Sequence, residues 1–98
     1  MEKFEEIINS EKPVLIDFFA TWCGPCKMMH PILEELHQLV GDKARIIKID
    51  IDKNQQLAGL YGVRSVPTLM IFQKGQQLWR QSGVHSAADL EAELSKYY

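Results

Sequence analysis

Polar and apolar positions along this chain follow two different patterns, one typical of strands and one typical of helices. Val14–Phe19 is apolar at all positions but one, and Arg45–Ile51 is rich in isoleucine, so both are predicted to be strands. A nearly unbroken apolar run is typical of a central strand that is covered on both faces. Residues 69–73 and 77–82 also have strand character, and Lys74-Gly75-Gln76 between them predicts a hairpin.

The segments between these strands have the spacing of amphipathic helices. Over Cys23–Val40, apolar residues recur every three or four positions, which predicts a helix with one face on the core. Gly41 is suited to end that helix. Shorter stripes predict a helix over residues 2–10, a short helix that Asp52 or Asn54 caps and that runs through residues 57–61, and a final helix with its packing stripe over 87–97. Strands interspersed with helices in this way indicate an α/β fold.

The composition excludes several classes of protein. The 98 residues, 46% hydrophobic and 24% charged, suffice for one domain over 1–98 with a modest core. A net charge of −2 provides no basic patch, so no nucleic-acid partner is expected. No run of about 18 apolar residues is present, so no membrane span is expected. The charged N-terminus lacks a signal-peptide core, and we therefore expect a cytoplasmic protein.

Two cysteines, the only ones in the chain, lie three residues apart between the first strand and the long helix. A Cys-x-x-Cys pair in this position is typical of a redox site. Unpaired N–H groups and the helix dipole favour a thiolate in the first helical turn and lower the pKa of a cysteine there. Because the thiolate is the nucleophile, Cys23 is predicted to attack and Cys26 to resolve.

Two other roles are open to the cysteine pair. A structural disulfide closing about four residues would contribute only roughly 2 kcal/mol, against ~4.7 kcal/mol for a hundred-residue loop. A metal site could add His30, one helical turn after Cys26, but structural zinc requires four ligands and the chain has no further cysteine. The redox role is favoured, no metal site is expected, and His30, His37 and His85 are interpreted as surface residues.

Asp17 is the one charged residue within the first apolar strand. Burial of a carboxylate is costly and raises its pKa, because the charged form is disfavoured. An exposed strand position is the alternative, but the apolar neighbours on both sides argue against it. We hypothesise that Asp17 lies beneath the thiols and exchanges a proton with Cys26, directly or through a water molecule. From spacing alone, Lys48 is interpreted as a solvated lysine.

The eleven residues from Asp17 to Lys27, Asp-Phe-Phe-Ala-Thr-Trp-Cys-Gly-Pro-Cys-Lys, resemble the active-site segment of the thioredoxin family. Val66-Pro67-Thr68 and Gly83 match the same family in order and spacing. The resemblance extends over nearly the whole chain. It implies a three-layer α/β/α fold in which helices flank a mixed sheet.

The resemblance also implies roles for individual residues. Asp17 would transfer a proton to Cys26, and Lys48 would approach Asp17 and modulate it. The Val66–Pro67 bond would be cis and face the cysteines, where the backbone of Val66 could pair with an extended substrate. The residues implied to form an apolar substrate groove around an exposed Cys23 sulfur are Trp22, Gly24, Pro25, Val66, Pro67 and Gly83.

The chain departs from the family pattern at its N-terminus. Family members typically begin with an extra edge strand, whereas the residues before Val14 have helical spacing here. We therefore predict four strands in the order 45–51, 14–19, 69–73, 77–82, the first two parallel and the other neighbours antiparallel. Residues 45–51 would form an open edge that another chain could pair with, so a weak edge-strand dimer is an alternative to the expected monomer.

The function indicated is reduction of protein disulfides by a reversible Cys23–Cys26 dithiol, which makes the protein a general electron donor. The dithiol is its own redox group, so no cofactor is expected. The expected partners are protein disulfides and a thioredoxin reductase that regenerates the dithiol. One alternative is a disulfide oxidant or isomerase of the same fold, although Gly24-Pro25 favours the reducing side because it lacks a thiolate-stabilising histidine. The other is a redox-inactive binding subunit.

Overall fold

A computed structural model describes residues 2–98, so Met1 of the domain predicted over 1–98 lies outside the described residues. The helices are α1 (Phe4–Ile8), α2 (Gly24–Val40), α3 (Gln55–Leu60) and α4 (Ala87–Ser95), and a short 3-10 helix spans Gly41–Lys43. The strands are β1 (Val14–Phe19), β2 (Arg45–Asp50), β3 (Thr68–Gln73) and β4 (Gln76–Ser82). Strands and helices thus follow one another in the predicted order.

The four strands lie in one sheet with the order β2-β1-β3-β4. β1 runs parallel to β2 and antiparallel to β3, and β3 runs antiparallel to β4. The predicted order and directions are confirmed, although β2 ends at Asp50, one residue earlier than predicted. Asp17 is in register with Lys48 on β2 and with Leu69 on β3. In the described chain, β2 has a strand neighbour on one side only and forms an edge of the sheet.

Successive strand residues point to opposite sides of the sheet, so apolar strand residues lie on both of its faces. Helices cover both faces. On one face, α2 and α4 pack their buried side chains around Leu15 and Ile71. On the other face, Ile7 of α1 and the half-buried Leu57 of α3 pack around Ile16 and its neighbours. The predicted three-layer arrangement is therefore confirmed.

The first helix is shorter than its predicted span of 2–10 because the hairpin between β3 and β4 binds the chain that follows it. The N–H of Lys74 donates to the carbonyl oxygen of Ser10, and the N–H of Gly75 donates to that of Ile8, each at 3.0 Å. These bonds join residues more than sixty positions apart, so the helical stripe alone gave no sign of them.

The long helix ends where predicted, because Gly41 adopts a φ of +56° that side chains of L-residues rarely allow. Its N-terminus lies just beyond the end of β1, and this connection places the cysteines. No helix in residues 2–98 is long and apolar enough to cross a membrane.

Candidate active site

The two cysteines lie in the short connection between β1 and α2 and in the first turn of that helix. The N–H of Cys23 donates to the carbonyl oxygen of buried Ala20 at 3.3 Å, which turns the chain toward the helix. Cys23 is the N-cap of α2, and Pro25 lies in the first turn. Proline is tolerated there because the first N–H groups of a helix have no partner within the helix. The sequence thus places one sulfur at the positive end of a 17-residue helix.

The sulfur of Cys23 takes the place that a side-chain oxygen occupies in an ordinary helix cap. The backbone N–H of Cys26 donates to Cys23 Sγ at 3.2 Å. Both this hydrogen bond and the helix dipole favour negative charge on the sulfur. The geometry therefore suits a thiolate at Cys23.

The two sulfurs are joined in a disulfide, and the Cα atoms are 5.3 Å apart. Cys26 is fully buried, and Cys23 is 5% exposed. The expectation of an open Cys23 sulfur is wrong for this oxidised state, because Cys23 packs into a small cluster with Ala20, Cys26 and Val66. The little exposure that the pair has belongs to Cys23.

The loop before β3 lies against the disulfide. The carbonyl oxygen of Val66 is 3.5 Å from Cys23 Sγ, and the Val66–Pro67 peptide bond is cis, as the resemblance implied. Gly83, which follows β4, donates its N–H to the carbonyl oxygen of Pro67 at 2.9 Å. Contacts thus connect three distant parts of the sequence, which are Cys23, the Val66–Pro67 pair and Gly83.

A hollow of about 410 Å³ opens beside Cys23. The predicted residues that line it are Trp22, Gly24, Pro25 and Val66, and the residues that sequence reasoning missed are Ile51, Val63, Arg64 and Ser65. Pro67 is buried and Gly83 is half-buried, and neither of them lines this hollow. Proximity to Val66 in the chain was an available signal for residues 63–65. Ile51 gave no such signal, because it comes directly after β2, the strand that neighbours β1 in the sheet but is distant from Val66 in the sequence.

Trp22 forms an exposed wall of the hollow and is fixed by a bond that the sequence did not reveal. Its side chain is 68% exposed, and its indole Nε1 donates to Asp52 Oδ2 at 2.9 Å. An indole N–H commonly finds an acceptor of this kind. Because Asp52 is thirty residues away, only the parallel pairing of β1 with β2 brings the two together.

Asp17 is fully buried in the middle of β1, as predicted. In the described residues, neither of its carboxylate oxygens has a hydrogen-bond partner. Burial raises the pKa of Asp17 to about 6, and the positive charge of Lys48 acts in the opposite direction. A carboxyl group in this state can take up and release a proton near neutral pH.

Lys48 lies beside Asp17 in the sheet but does not pair with it. The two are in register on neighbouring strands, yet the ammonium Nζ lies 3.2 Å from His30 Nδ1 on α2. Within residues 2–98, Lys48 forms no ion pair within 4.0 Å. The implied approach of Lys48 to Asp17 is therefore limited to a charge effect, because the ammonium is held by an imidazole that sequence reasoning set aside.

The three histidines differ in their surroundings. His37 is exposed, as predicted, whereas His30 and His85 are half-buried and hydrogen-bonded. His85 Nδ1 lies 3.1 Å from the carbonyl oxygen of Gly83 and its ring packs on Trp79. Across residues 2–98, no three His, Cys, Asp or Glu side chains are grouped so that they could hold a metal ion.

Nearly the whole chain is similar to known proteins of one family. The family model described as Thioredoxin matches residues 1–96. The thioredoxin of Bacillus subtilis is 49% identical over 89 residues, which cover 91% of this chain and 86% of the relative. A thioredoxin of Synechocystis is 43% identical over 93 residues, which cover 95% of this chain and 87% of the relative.

Solved structures show the same similarity. A mutant thioredoxin from Halobacterium salinarum matches with a TM-score of 0.86 and 40% identity, over 95% of this chain and 80% of that chain. Thioredoxin of Malassezia sympodialis matches with a TM-score of 0.85 and 37% identity, over 96% and 82% of the two chains. Together with the disulfide at the start of α2, these similarities show that the chain belongs to the thioredoxin family and is a thiol–disulfide oxidoreductase.

Proposed function

We propose that this protein works as a reductant of protein disulfides, with Cys23 as nucleophile and Cys26 as resolving thiol. The observation that carries the proposal is the position of Cys23 Sγ, which accepts the N–H of Cys26 at 3.2 Å at the positive end of α2. In the reduced protein, the same hydrogen bond and dipole favour the thiolate, which is the form that attacks disulfides.

The reaction consists of two thiol–disulfide exchanges. In the first, the Cys23 thiolate attacks one sulfur of the substrate disulfide, the substrate S–S bond breaks, and the departing substrate thiolate takes a proton from water. In the second, the Cys26 thiolate attacks Cys23 Sγ, the mixed disulfide breaks, and the second substrate sulfur leaves as a thiolate that takes a proton from water. Two electrons pass to the substrate, and the protein is left with the Cys23–Cys26 disulfide, the state of the structure.

Asp17 is proposed to accept the proton of the Cys26 thiol before the second exchange. A fully buried thiol is poor at losing a proton to water, and Cys26 has no exposed surface. Asp17 has two carboxylate oxygens without partners and a pKa raised to about 6, so at pH 7 it is mostly ionised but readily protonated. Lys48 is proposed to modulate this carboxyl group through its charge.

The hollow beside Cys23 is the proposed substrate site. An extended substrate segment would lie across Trp22, Gly24, Pro25 and Val66 and use the backbone of Val66 for strand-like pairing. Pro67 and Gly83 would act from beneath this surface, since the N–H of Gly83 donates to the carbonyl oxygen of Pro67. Protein disulfides are thus the proposed substrates, and a thioredoxin reductase is the proposed partner that restores the dithiol.

Insulin reduction by dithiothreitol, followed as turbidity, tests the proposal. The native protein should accelerate precipitation, and Cys23→Ser should abolish the acceleration. Cys26→Ser is the matched variant: it should retain attack but stop at the mixed disulfide, which a non-reducing gel detects as a covalent adduct. Absence of acceleration by the native protein would favour a redox-inactive binding subunit. A reduction potential well above the cytosolic glutathione poise would favour an oxidant.

The protein is also proposed to work as a monomer in the cytoplasm. The alternative, pairing of two copies through the open edge of β2, predicts a dimer mass that increases with concentration. Light scattering up to millimolar concentration separates the two states, and a constant mass of one chain supports the monomer.

A further inference from the structure

Three polar side chains lie on the α2 side of the sheet. Asp17 and Lys48 are register partners on β1 and β2, so their side chains point to the same face. That face is the one on which Leu15 and Ile46 pack with α2 and α4. His30 approaches from α2, one helical turn after Cys26.

His30 is fixed in place by two contacts. Its ring packs edge-on against Phe19, with the ring centroids 5.6 Å apart and the planes at 81°. Its Nδ1 lies 3.2 Å from Lys48 Nζ. An ammonium group can only donate, so Nδ1 is the acceptor in this bond and its proton must be on Nε2. The neutral imidazole is therefore the form that holds Lys48.

Lys48 is the cation whose charge acts on Asp17, and its ammonium group is bonded to His30. Neighbouring strands are about 4.8 Å apart, and a lysine side chain is long enough to cross that distance to its register partner. Even so, both oxygens of Asp17 lack a partner in the described residues, and Lys48 Nζ is bonded to the imidazole instead. The ammonium group that faces the buried carboxylate's side of the sheet is thus bonded to His30 and not to Asp17.

We propose that His30 is a positioning residue that holds the Lys48 ammonium away from Asp17, so that the buried carboxyl group stays unpaired and free to exchange a proton. This inference rests on the proposed role of Asp17 in proton transfer to Cys26. Without His30, Lys48 would turn to the carboxylate, and an ion pair would favour the charged form of Asp17. The proton affinity of Asp17 would then fall.

Other titratable groups around this site could influence the outcome. Those on this side are Asp17 from β1, Lys48 and Asp50 from β2, and His30, Glu34 and His37 from α2. β3 contributes only apolar Leu69 in register with Asp17. Asp50 Oδ1 already accepts the N–H of Asp52 at 2.8 Å. Glu34 lines the same shallow hollow as Lys48 and is the competitor for a released ammonium group.

The test measures the Asp17 carboxyl directly, by following its 13C chemical shift against pH in the oxidised protein, where no thiol titrates. His30→Phe keeps an aromatic ring against Phe19 but removes the acceptor, and its Asp17 midpoint should fall by about one pH unit. His30→Asn keeps an oxygen near the place of Nδ1, and its midpoint should stay near that of the native protein. His30→Ala is the second variant without an acceptor, should the Phe variant fold poorly.

A Lys48→Met background shows whether His30 acts through the lysine. In that background, the shift of the Asp17 midpoint caused by His30→Phe should be less than about a third of the shift that the same substitution causes when Lys48 is present. An unchanged midpoint in both His30→Phe and His30→Ala would overturn the proposal, as would an equal shift with and without Lys48. The first result would mean that the released ammonium turns to Glu34 or to water.

The pH dependence of insulin reduction separates this inference from the proposed function. If the Asp17 midpoint and the activity profile both move to lower pH in His30→Phe, both are supported. If the midpoint moves and the activity profile does not, His30 positions Lys48 as proposed but Asp17 is not the proton acceptor of Cys26.

Discussion

Replacing Asp17 by Asn should stabilise the oxidised protein increasingly as the pH rises from 4 to 8. The carboxyl group is fully buried, and its oxygens have no partner among the described residues. Burial therefore raises its pKa from 3.8 to about 6 in the folded protein. Because the folded state holds this proton more tightly than the unfolded chain, Asp17 lowers stability as the pH rises through this range. An amide cannot ionise, so the variant escapes that loss.

The size of this effect on the free energy of unfolding follows from the pKa of Asp17 in the unfolded chain and in the folded protein. A difference of about 2 pH units corresponds to about 3 kcal/mol once both states are fully ionised, and to about 0.5 kcal/mol at pH 4. The amide also carries donors that need partners, which adds an offset that does not depend on pH. The offset cancels when the two pH values are compared. The gap in the free energy of unfolding between variant and native protein should therefore widen by about 2.5 kcal/mol from pH 4 to pH 8.

Urea unfolding of both oxidised proteins, followed by tryptophan fluorescence, measures this gap. Asp42→Asn is the matched control, because Asp42 is an exposed carboxyl group in the short 3-10 helix after α2. Because the Asp42 side chain is exposed, this variant shows the effect of removing a carboxyl group that is not buried. If the Asp17→Asn gap changes by less than about 0.5 kcal/mol, the carboxyl group is hydrated in solution and the reasoning from burial is refuted.

Further substitutions test other parts of the fold. Gly41→Ala should lower the free energy of unfolding by roughly 1–2 kcal/mol because of its positive φ, whereas Gly59→Ala inside α3 should raise it by up to about 1 kcal/mol. A gain at Gly41 would contradict the strain argument. Ser86→Ala removes the side chain that accepts the N–H of Asp89 at 3.1 Å, and thermal unfolding should report a loss of about 1 kcal/mol. Asp52→Ala removes the acceptor of the Trp22 indole N–H, so it should change the tryptophan fluorescence and slow insulin reduction. The free energy of unfolding should fall by less than about 1 kcal/mol. Asp52→Asn keeps an acceptor and should resemble the native protein.

The strands and the long helix could be predicted because their signals are local. The apolar run Val14–Phe19 became β1 with the same bounds, and Cys23–Val40 became the cap and body of α2. The first helix was predicted too long because hydrogen bonds from Lys74 and Gly75, far along the chain, end it at Ile8. A periodic pattern contains no information about such partners.

The same division applies to the active site. The cysteine pair and Val66 were found from contiguous motifs, and the burial of Asp17 followed from its apolar neighbours. The bond from Trp22 to Asp52 and the bond from Lys48 to His30 were missed. Each bond joins residues on different elements. Such a bond forms only if the two elements are aligned correctly to within one residue, and the sequence pattern does not fix their alignment that closely.

The unequal burial of the two cysteines should also limit irreversible damage by peroxide. A small oxidant that reaches the accessible Cys23 thiolate converts it to a sulfenic acid. Cys26, shielded one helical turn away, is within bonding distance and displaces water from that sulfenic acid to form the disulfide. Oxidation therefore stops at a product that a reductase can repair, before either sulfur reaches the sulfinic or sulfonic acid.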